Sequence, residues 1–155
     1  MADGARRIIE RLGLSEHPEG GYYREIYRSP LKVSARGLER RALTCIYYLL
    51  PRGSFSAFHR LRSDEIWHFL EGSVLRLHCL DRGGLQTVDL GAGKDLQQAI
   101  AAGTWFAAEV VGGEYSLAGC TVAPGFEFED FELARRETLA AEFSRHADLI
   151  ARLTR

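Results

Sequence analysis

The sequence predicts an all-β protein with a helix at each end, and three observations support this. Between residues 20 and 128, short β-prone runs alternate with glycine or polar turns, which is typical of a barrel or sandwich. The chain contains 16 glycines in 155 residues, most of them between these runs. Residues 4–13 and 133–153 instead repeat apolar side chains at helical spacing. We expect one domain over residues 1–155, with a short N-terminal helix, a β-barrel and a longer C-terminal helix.

Composition and charge exclude several classes of function. The net charge is -1, so no basic field attracts nucleic acid or anionic lipid. Charged residues interrupt every apolar run before it reaches the ~18 residues of a membrane-spanning helix. The three cysteines form no CxxC pair and lie in apolar runs, which favours buried free thiols in a reducing compartment. We therefore expect a cytoplasmic protein that binds neither nucleic acid nor membranes.

The densest group of polar and aromatic side chains lies between residues 53 and 72. Strand alternation puts His59 on one face of a first strand, and Glu65 with Trp67 on one face of a second. Pairing of these strands across the turn at residues 62–64 would bring His59 and Glu65 together inside the barrel. A buried imidazole beside a buried carboxylate is an acid–base unit, because the carboxylate stabilises the imidazolium. The alternative is a structural pair that holds two strands in register.

This stretch resembles the first motif of the cupins, G-x5-H-x-H-x3-E-x6-G. The matching residues are Gly53, His59, Glu65 and Gly72, with Leu61 where the second His belongs. The stretches HPEGGYYRE and VAPGFEFEDF, with YYLL and DEIWH, are similar to a cupin branch known mainly as a domain of unknown function. The resemblance implies a double-stranded β-helix, or jelly roll, that is usually dimeric and has a small-molecule pocket at the barrel's mouth.

The departures from the cupin pattern concern metal binding. A metal cupin typically supplies three His and one Glu, and this chain keeps only His59 and Glu65 at those positions. Leu61 and Phe106 occupy the places of the other two histidines and cannot ligate a metal, whereas a catalytic zinc normally has three protein ligands. We expect no cofactor. The alternative is a divalent metal held by His59, Glu65 and an unidentified ligand, and His17 lies in a segment that favours a turn.

A metal-free alternative comes from the dTDP-sugar epimerases, which this chain resembles more distantly. In those enzymes a His removes a proton next to a keto group and a Tyr returns one. His59 matches that base. Glu65 stands where the epimerases have a Lys, and a carboxylate there repels the developing oxyanion unless it is protonated or paired with an arginine.

Aromatic and polar side chains are expected to complete the pocket. The candidates for ligand binding are Tyr23, Arg24, Tyr47, Trp67 and Phe106. Trp67 and Phe106 supply flat walls that suit a planar or sugar ring, and ordinary core packing is the alternative. Tyr47 and Tyr48 point to opposite faces of one strand, so one of them faces inward, and alternation does not say which.

The predicted function is small-molecule binding, with metal-independent isomerase or lyase chemistry in which His59 is the base and Glu65 orients or polarises it. Two alternatives remain open from the sequence. One is a non-catalytic module that binds a sugar-like or nucleotide-like ligand, and the other is a metal-dependent cupin with an incomplete ligand set. The helical ends and the first strand favour a homodimer.

Overall fold

The computed structural model describes residues 3–155 and is built mostly of strands. Eleven strands and three α-helices lie within that range. In chain order they are α1 Asp3–Leu12, β1 Ser15–Glu16, β2 Tyr22–Arg28, β3 Lys32–Ala35, β4 Leu38–Arg41, β5 Thr44–Pro51, β6 Phe55–Leu61, β7 Asp64–Asp81, β8 Gly84–Leu90, β9 Gln97–Ile100, β10 Trp105–Ala123, β11 Phe131–Leu133, α2 Arg136–Glu142 and α3 Ala147–Arg152.

Nine of these strands form one antiparallel sheet that curls into a half-barrel, which confirms the predicted all-β jelly roll. The order is β1-β2-β5-β10-β6-β11, and β7 joins β10 and carries β8 and β9. β10 is the central strand. Its first half lies between β6 and the second half of β7, and its second half lies between β5 and the first half of β7. The hairpin of β3 and β4 is separate.

The two longest strands bend at a glycine. Gly72 of β7 has a φ of +101° and lies opposite Ser116, where the register between β7 and β10 shifts. A Cβ at Gly72 would lie 2.5 Å from the Tyr115 carbonyl oxygen, so a larger residue would push the strands apart. The bend divides each strand into a half that packs the core and a half that surrounds the candidate site.

Three apolar clusters hold the sheet and the helices together. The largest lies inside the curled sheet and contains Tyr48, Leu50, Trp67, Leu75, Leu77, Cys79, Leu90, Ile100, Phe106, Ala108, Ala118 and Cys120. A second lies under α1 and contains Ala5, Ile8, Leu14, Leu49 and Leu117. A third lies under α2 and α3 and contains Phe58, Leu80, Trp105, Ala107, Leu139, Ile150 and Leu153. Burial of these side chains is the main driving force for the fold.

The C-terminal segment corrects the prediction of one helix over residues 133–153. It contains two short helices, α2 and α3, separated by Phe143 and a 3-10 turn. The Ala134 amide donates to the Phe58 carbonyl, and the Phe58 amide donates to the Leu153 carbonyl. Both ends of the segment therefore meet one residue of β6, whereas a straight helix would hold them roughly 28 Å apart. The chain has to fold back on itself.

Two expectations from composition agree with the structure. Cys79 and Cys120 are buried, Cys45 is partly buried, and all three are free thiols. No helix within residues 3–155 has the length and apolarity that crossing a membrane requires.

Candidate functional site

A cavity of about 260 Å³ lies inside the curled sheet. Strand alternation builds it, because side chains two residues apart share a face and neighbouring strands bring such residues into rows. One row across four strands consists of Glu25, Ile46, Cys120 and Trp67, and the next contains Thr44, Val122 and Glu65.

The HPEGG segment lines one side of the cavity and brings two polar side chains into it. His17 and Glu19 line the cavity, and each side chain is only 6% exposed. The Gly20 amide donates to the His17 carbonyl, and the His17 amide donates to the Gly21 carbonyl. Gly20 has a φ of +110°, and a Cβ there would collide with the Phe55 carbonyl oxygen. Glycine therefore lets the turn approach β6 closely enough for Glu19 to reach the interior.

His59 of β6 is hydrogen-bonded at one ring nitrogen, and its other ring nitrogen contacts a carboxyl group. Its Nδ1 lies 2.7 Å from the Ala57 carbonyl oxygen, which only accepts, so Nδ1 carries a hydrogen. Its Nε2 lies 3.2 Å from Oε2 of Glu19. Nε2 of a neutral ring with hydrogen on Nδ1 is an acceptor. The contact between Nε2 and Oε2 is favourable when the two groups share one proton.

Burial shifts both pKa values of this pair towards the neutral forms. Desolvation lowers the pKa of His59 to about 4, although the bond to Ala57 opposes the shift. Desolvation also raises the pKa of Glu19, against the opposing effects of His17 and of Ser56. The Ser56 hydroxyl donates to Oε1 of Glu19 at 2.9 Å. Burial therefore favours the neutral imidazole of His59, and a proton shared by the two groups favours Glu19.

Glu65 and Trp67, two residues apart on β7, present polar atoms without a hydrogen-bond partner among residues 3–155. These atoms are Oε2 of Glu65 and Nε1 of Trp67, and both are buried. Burial raises the pKa of Glu65 to about 8 and the nearby Glu19 adds to the shift, whereas the neighbouring Trp67 and Cys120 side chains oppose it. Glu65 is therefore protonated at neutral pH. Because buried polar groups are normally paired, these two atoms on residues that line the cavity are candidates for contact with a ligand oxygen.

Aromatic rings form much of the cavity wall. They belong to Tyr23, Tyr48, Trp67, Phe126, Phe128 and Phe131. The rings of Tyr48 and Trp67 meet edge to face with centroids 5.2 Å apart. His17 contacts Tyr23 in the same manner at 4.7 Å and stacks on Phe128 at 6.1 Å. The wall therefore suits a flat or ring-shaped ligand.

Among residues 3–155, Arg28 is the only Arg or Lys that lines the cavity. Its Nε and Nη2 donate to the two carboxylate oxygens of Glu25 at 2.9 and 2.8 Å. Its Nη1 donates to Oε1 of Glu127 at 2.7 Å, and Nη2 also donates to the Phe126 carbonyl at 3.1 Å. We call Arg28, Glu25 and Glu127 the Arg28 cluster. The cluster therefore contains two carboxylates and one guanidinium.

Four of the predicted site residues line the cavity, namely His59, Glu65, Tyr23 and Trp67. Phe106 does not line it but packs behind it. The Phe106 ring centroid is 4.1 Å from that of His59 and 6.1 Å from that of Trp67. The catalytic and binding roles of these residues stay predictions.

Two predicted residues lie outside the cavity, which corrects the prediction. Tyr47 packs with the residues under α1, and Tyr48 lines the cavity instead. Arg24 is exposed on β2 and is paired in register with Tyr47. The cause is strand alternation: β2 and β5 turn Tyr23 and Tyr48 inward, so their neighbours face outward.

His59 and Glu65 are not partners in a hairpin, contrary to the prediction. Within residues 3–155, β6 pairs with β10 and β11, and β7 pairs with β8, β9 and β10. The partner of the imidazole is Glu19, which the sequence did not indicate as a site residue. The available signal was a His and a Glu two residues apart beside two glycines. That segment is a turn, as predicted, but it folds against the cavity.

Comparison with known proteins establishes the family. Residues 6–134 match a family described as the Cupin superfamily (DUF985). The chain belongs to the cupin superfamily. This confirms the resemblance in the motifs, and it assigns no reaction to the cupin described here.

Two solved structures resemble this cupin over nearly its whole length. A Shewanella oneidensis protein of known crystal structure is 38% identical, with a TM-score of 0.89 and 97% of each chain covered. A hypothetical protein from Leishmania major is 35% identical, with a TM-score of 0.92 and 97% and 98% of the two chains covered. An oxalate decarboxylase from Bacillus subtilis is 19% identical, with a TM-score of 0.57, and covers 89% of this chain and 36% of its own. That likeness shows the fold alone. No match was found among curated proteins.

The donor set of this cupin does not fit the metal that the superfamily commonly holds. Within residues 3–155, no group of three or more His, Cys, Asp or Glu side chains has the arrangement to hold a metal ion. Leu61 lines the cavity in the place of the second His, and Phe106 stands in the place of the third. Nδ1 of His59 is hydrogen-bonded to Ala57, and Nε2 lies 3.2 Å from Oε2 of Glu19. The chemistry that these residues offer is that of carboxyl and imidazole groups.

Proposed function

We propose that this cupin binds a small carbonyl compound and moves a proton at the carbon next to the carbonyl group, as metal-independent isomerases and lyases do. The observation that carries the proposal is that Oε2 of Glu65 and Nε1 of Trp67, on one face of β7, are buried without a hydrogen-bond partner among residues 3–155. Burial raises the pKa of Glu65 to about 8, which favours its acid form at neutral pH. An ionised carboxylate would repel an enolate, whereas a carboxylic acid donates a hydrogen bond to it. Two such donors on one oxygen stabilise its developing charge.

In this proposal the base is the Glu19–His59 pair, which holds one proton and takes up a second. The C–H bond next to the carbonyl breaks, and its proton goes to the pair. The bonding electrons form the C=C bond of an enolate, and the carbonyl electrons move to the oxygen that Glu65 and Trp67 hold. Return of the proton to another carbon gives an isomer. Loss of a leaving group from the next carbon gives the product of a lyase.

The test is exchange of carbon-bound hydrogen for deuterium. The protein is incubated in D₂O with a panel of small ketones, aldehydes and keto sugars, and deuterium in each compound is measured by mass spectrometry. At least one compound should exchange, and His59→Ala should abolish that exchange without unfolding the barrel. Protein-dependent exchange in none of them, or full exchange by His59→Ala, would overturn the proposal.

A binding module without catalysis is the second candidate, and one observation favours it. Nδ1 of His59 is bonded to Ala57 and Nε2 contacts Glu19, as in a group that only shapes a pocket. A compound of the panel that raises the melting temperature without deuterium exchange would support this candidate.

We also propose that the chain forms a homodimer through the outer edge of β2. β1 pairs only with Tyr22 and Tyr23, and the rest of that edge has no strand partner within residues 3–155. Ile26 and Tyr27 are 43% and 50% exposed there, and a second copy of the edge would cover them. Light scattering should give the mass of a dimer, and Tyr27→Arg should lower it to that of a monomer. A monomeric mass for the unaltered protein would contradict this.

A further inference from the structure

We infer that the pocket selects an uncharged, planar carbonyl compound and excludes anions such as carboxylates, phosphates and nucleotide sugars. The inference rests on the proposed function and names the substrate class for the same site. Three features carry it: the charges around Arg28, the size and character of the cavity wall, and the unpartnered indole N–H.

The Arg28 cluster disfavours an anionic ligand. Arginine binds carboxylates and phosphates through the paired N–H groups of its guanidinium. In this cavity the Nε and Nη2 of Arg28 are used by Glu25, and Nη1 is bonded to Glu127. An anion would have to displace one of these carboxylates or lie beside both, at a cost that solvent reduces because the three side chains are 33%, 36% and 41% exposed. A neutral ligand neither displaces a carboxylate nor is repelled by one.

The size of the cavity and its aromatic wall limit the ligand to a small ring. An engineered cavity of about 150 Å³ binds benzene. The cavity here, about 260 Å³, therefore has room for a ring with a few substituents but not for an enclosed nucleotide. Tyr48 and Trp67 meet edge to face along the wall, and Phe126 and Phe131 meet in the same way with centroids 6.2 Å apart. Such rings contact the flat faces of a conjugated ligand.

The indole of Trp67 supplies the polar contact that a carbonyl needs. Its Nε1 donates only and forms no hydrogen bond of good geometry among residues 3–155, although the Glu65 carboxyl group lies near it. A carbonyl oxygen satisfies this donor without bringing a charge into the cavity. A hydrocarbon of the same shape would leave the donor unpaired.

Three compounds of similar size separate these features: acetophenone, benzoate and ethylbenzene. Calorimetric titration at pH 7.5 should give acetophenone at least a tenfold lower Kd than benzoate. Trp67→Phe keeps an aromatic ring and removes the donor. It should therefore raise the Kd of acetophenone several-fold and leave the Kd of ethylbenzene unchanged. Benzoate binding as tight as acetophenone binding, or no binding of acetophenone at millimolar concentration, would overturn the inference.

A paired substitution tests whether the two carboxylates cause the exclusion. The double substitution Glu25→Gln and Glu127→Gln leaves Arg28 without its carboxylate partners. The affinity for benzoate should therefore rise at least tenfold relative to the affinity for acetophenone. Glu132→Gln is the matched control, because Glu132 pairs with Arg60 on the surface and does not line the cavity. Equal effects of the control and the paired substitution would contradict the assignment.

Two outcomes separate charge selection by the pocket from the proposed proton transfer. Deuterium exchange into pyruvate, an anionic ketone, with none into acetophenone, would overturn the charge selection and leave proton transfer intact. Preferential binding of acetophenone over benzoate, with no exchange into any compound, would support the ligand class and overturn proton transfer.

Discussion

Oε2 of Glu19 lies 3.2 Å from Nε2 of His59, and this contact joins a turn near the N-terminus to a strand of the barrel. The turn connects the paired strands β1 and β2, and the Ala57 amide donates to the Glu19 carbonyl, so the pair depends on how the HPEGG segment packs against β6. The proposed base is therefore shared between two parts of the chain that are distant in sequence.

Glu19→Gln should separate the chemistry of this pair from its structural role. The glutamine amide can donate to Nε2 of His59, and its oxygen can still accept from Ser56, so the fold should be retained. The amide carries no transferable proton, and deuterium exchange should fall by roughly 100-fold or more. Exchange rate and melting temperature are both measured, with Glu132→Gln as the control. An unchanged rate of deuterium exchange in Glu19→Gln would show that Glu19 is not part of the proposed base.

Glu65 should make the protein less stable as the pH rises. Its pKa is about 8 in the folded protein against an ordinary value of 4.5, so between these values the folded state keeps a proton that the unfolded state has released. The free energy of unfolding should fall by about 1.4 kcal/mol per pH unit from this group, and the fall is complete above pH 8. Glu65→Gln should remove that part of the slope.

The measurement is urea unfolding between pH 6.5 and 8.5. His59 has a lowered pKa of about 4, so it destabilises the fold only below its ordinary value of 6.5, outside this window. Burial also raises the pKa of Glu19, which adds a slope of the same sign to both proteins. The difference between the unaltered protein and Glu65→Gln therefore isolates Glu65. Identical slopes in the two proteins would show that Glu65 is ionised in the fold.

Gly20→Ala should destabilise the protein more than Gly84→Ala, although the two glycines have φ values of +110° and +108°. The backbone strain of an alanine is similar at both positions, roughly 1–3 kcal/mol. At Gly20 the new Cβ also meets the Phe55 carbonyl oxygen, whereas nothing lies within 4 Å of it at Gly84. Relief of this steric clash requires the turn to move, which costs roughly 1–3 kcal/mol more. The movement also displaces Glu19. Thermal unfolding measures the difference, and equal costs would mean that the close approach to β6 is unimportant.

Much of the barrel could be predicted from local pattern. Alternating apolar residues and glycine turns indicated the strands, and the same alternation placed Glu65 and Trp67 on one face of β7. These features depend on residues that are near one another in sequence. The family resemblance supplied the closure into a jelly roll, which local pattern does not determine.

The remaining features depend on contacts between distant residues. Alternation showed that Tyr47 and Tyr48 face opposite ways, but only the packing of α1 on one side of β5 decides that Tyr48 faces the cavity. The break in the C-terminal helix follows from bonds at both ends of the segment to Phe58. The sequence did not indicate Glu19 as a site residue, because a turn-forming sequence does not show which surface the turn packs against.

Metal content distinguishes the proposed chemistry from that of a metal-dependent cupin. Protein purified without a tag should contain well below one metal ion per chain, because Leu61 and Phe106 replace two of the usual histidines. Mass spectrometry of the unaltered protein and of His59→Ala measures this. Near-stoichiometric metal that disappears in His59→Ala would overturn the metal-free proposal.

A substitution that restores a ligand provides the converse prediction. Leu61→His restores the second histidine of the cupin motif beside His59 and Glu65, and three protein ligands are the usual number for a catalytic zinc site. After incubation with zinc and removal of excess ion, Leu61→His should retain more metal than the unaltered protein. Leu61→Ala removes the same apolar side chain without adding a donor, so it should retain no more than the unaltered protein. Equal retention by Leu61→His and Leu61→Ala would mean that His59 stays committed to Glu19 even when a third ligand is available.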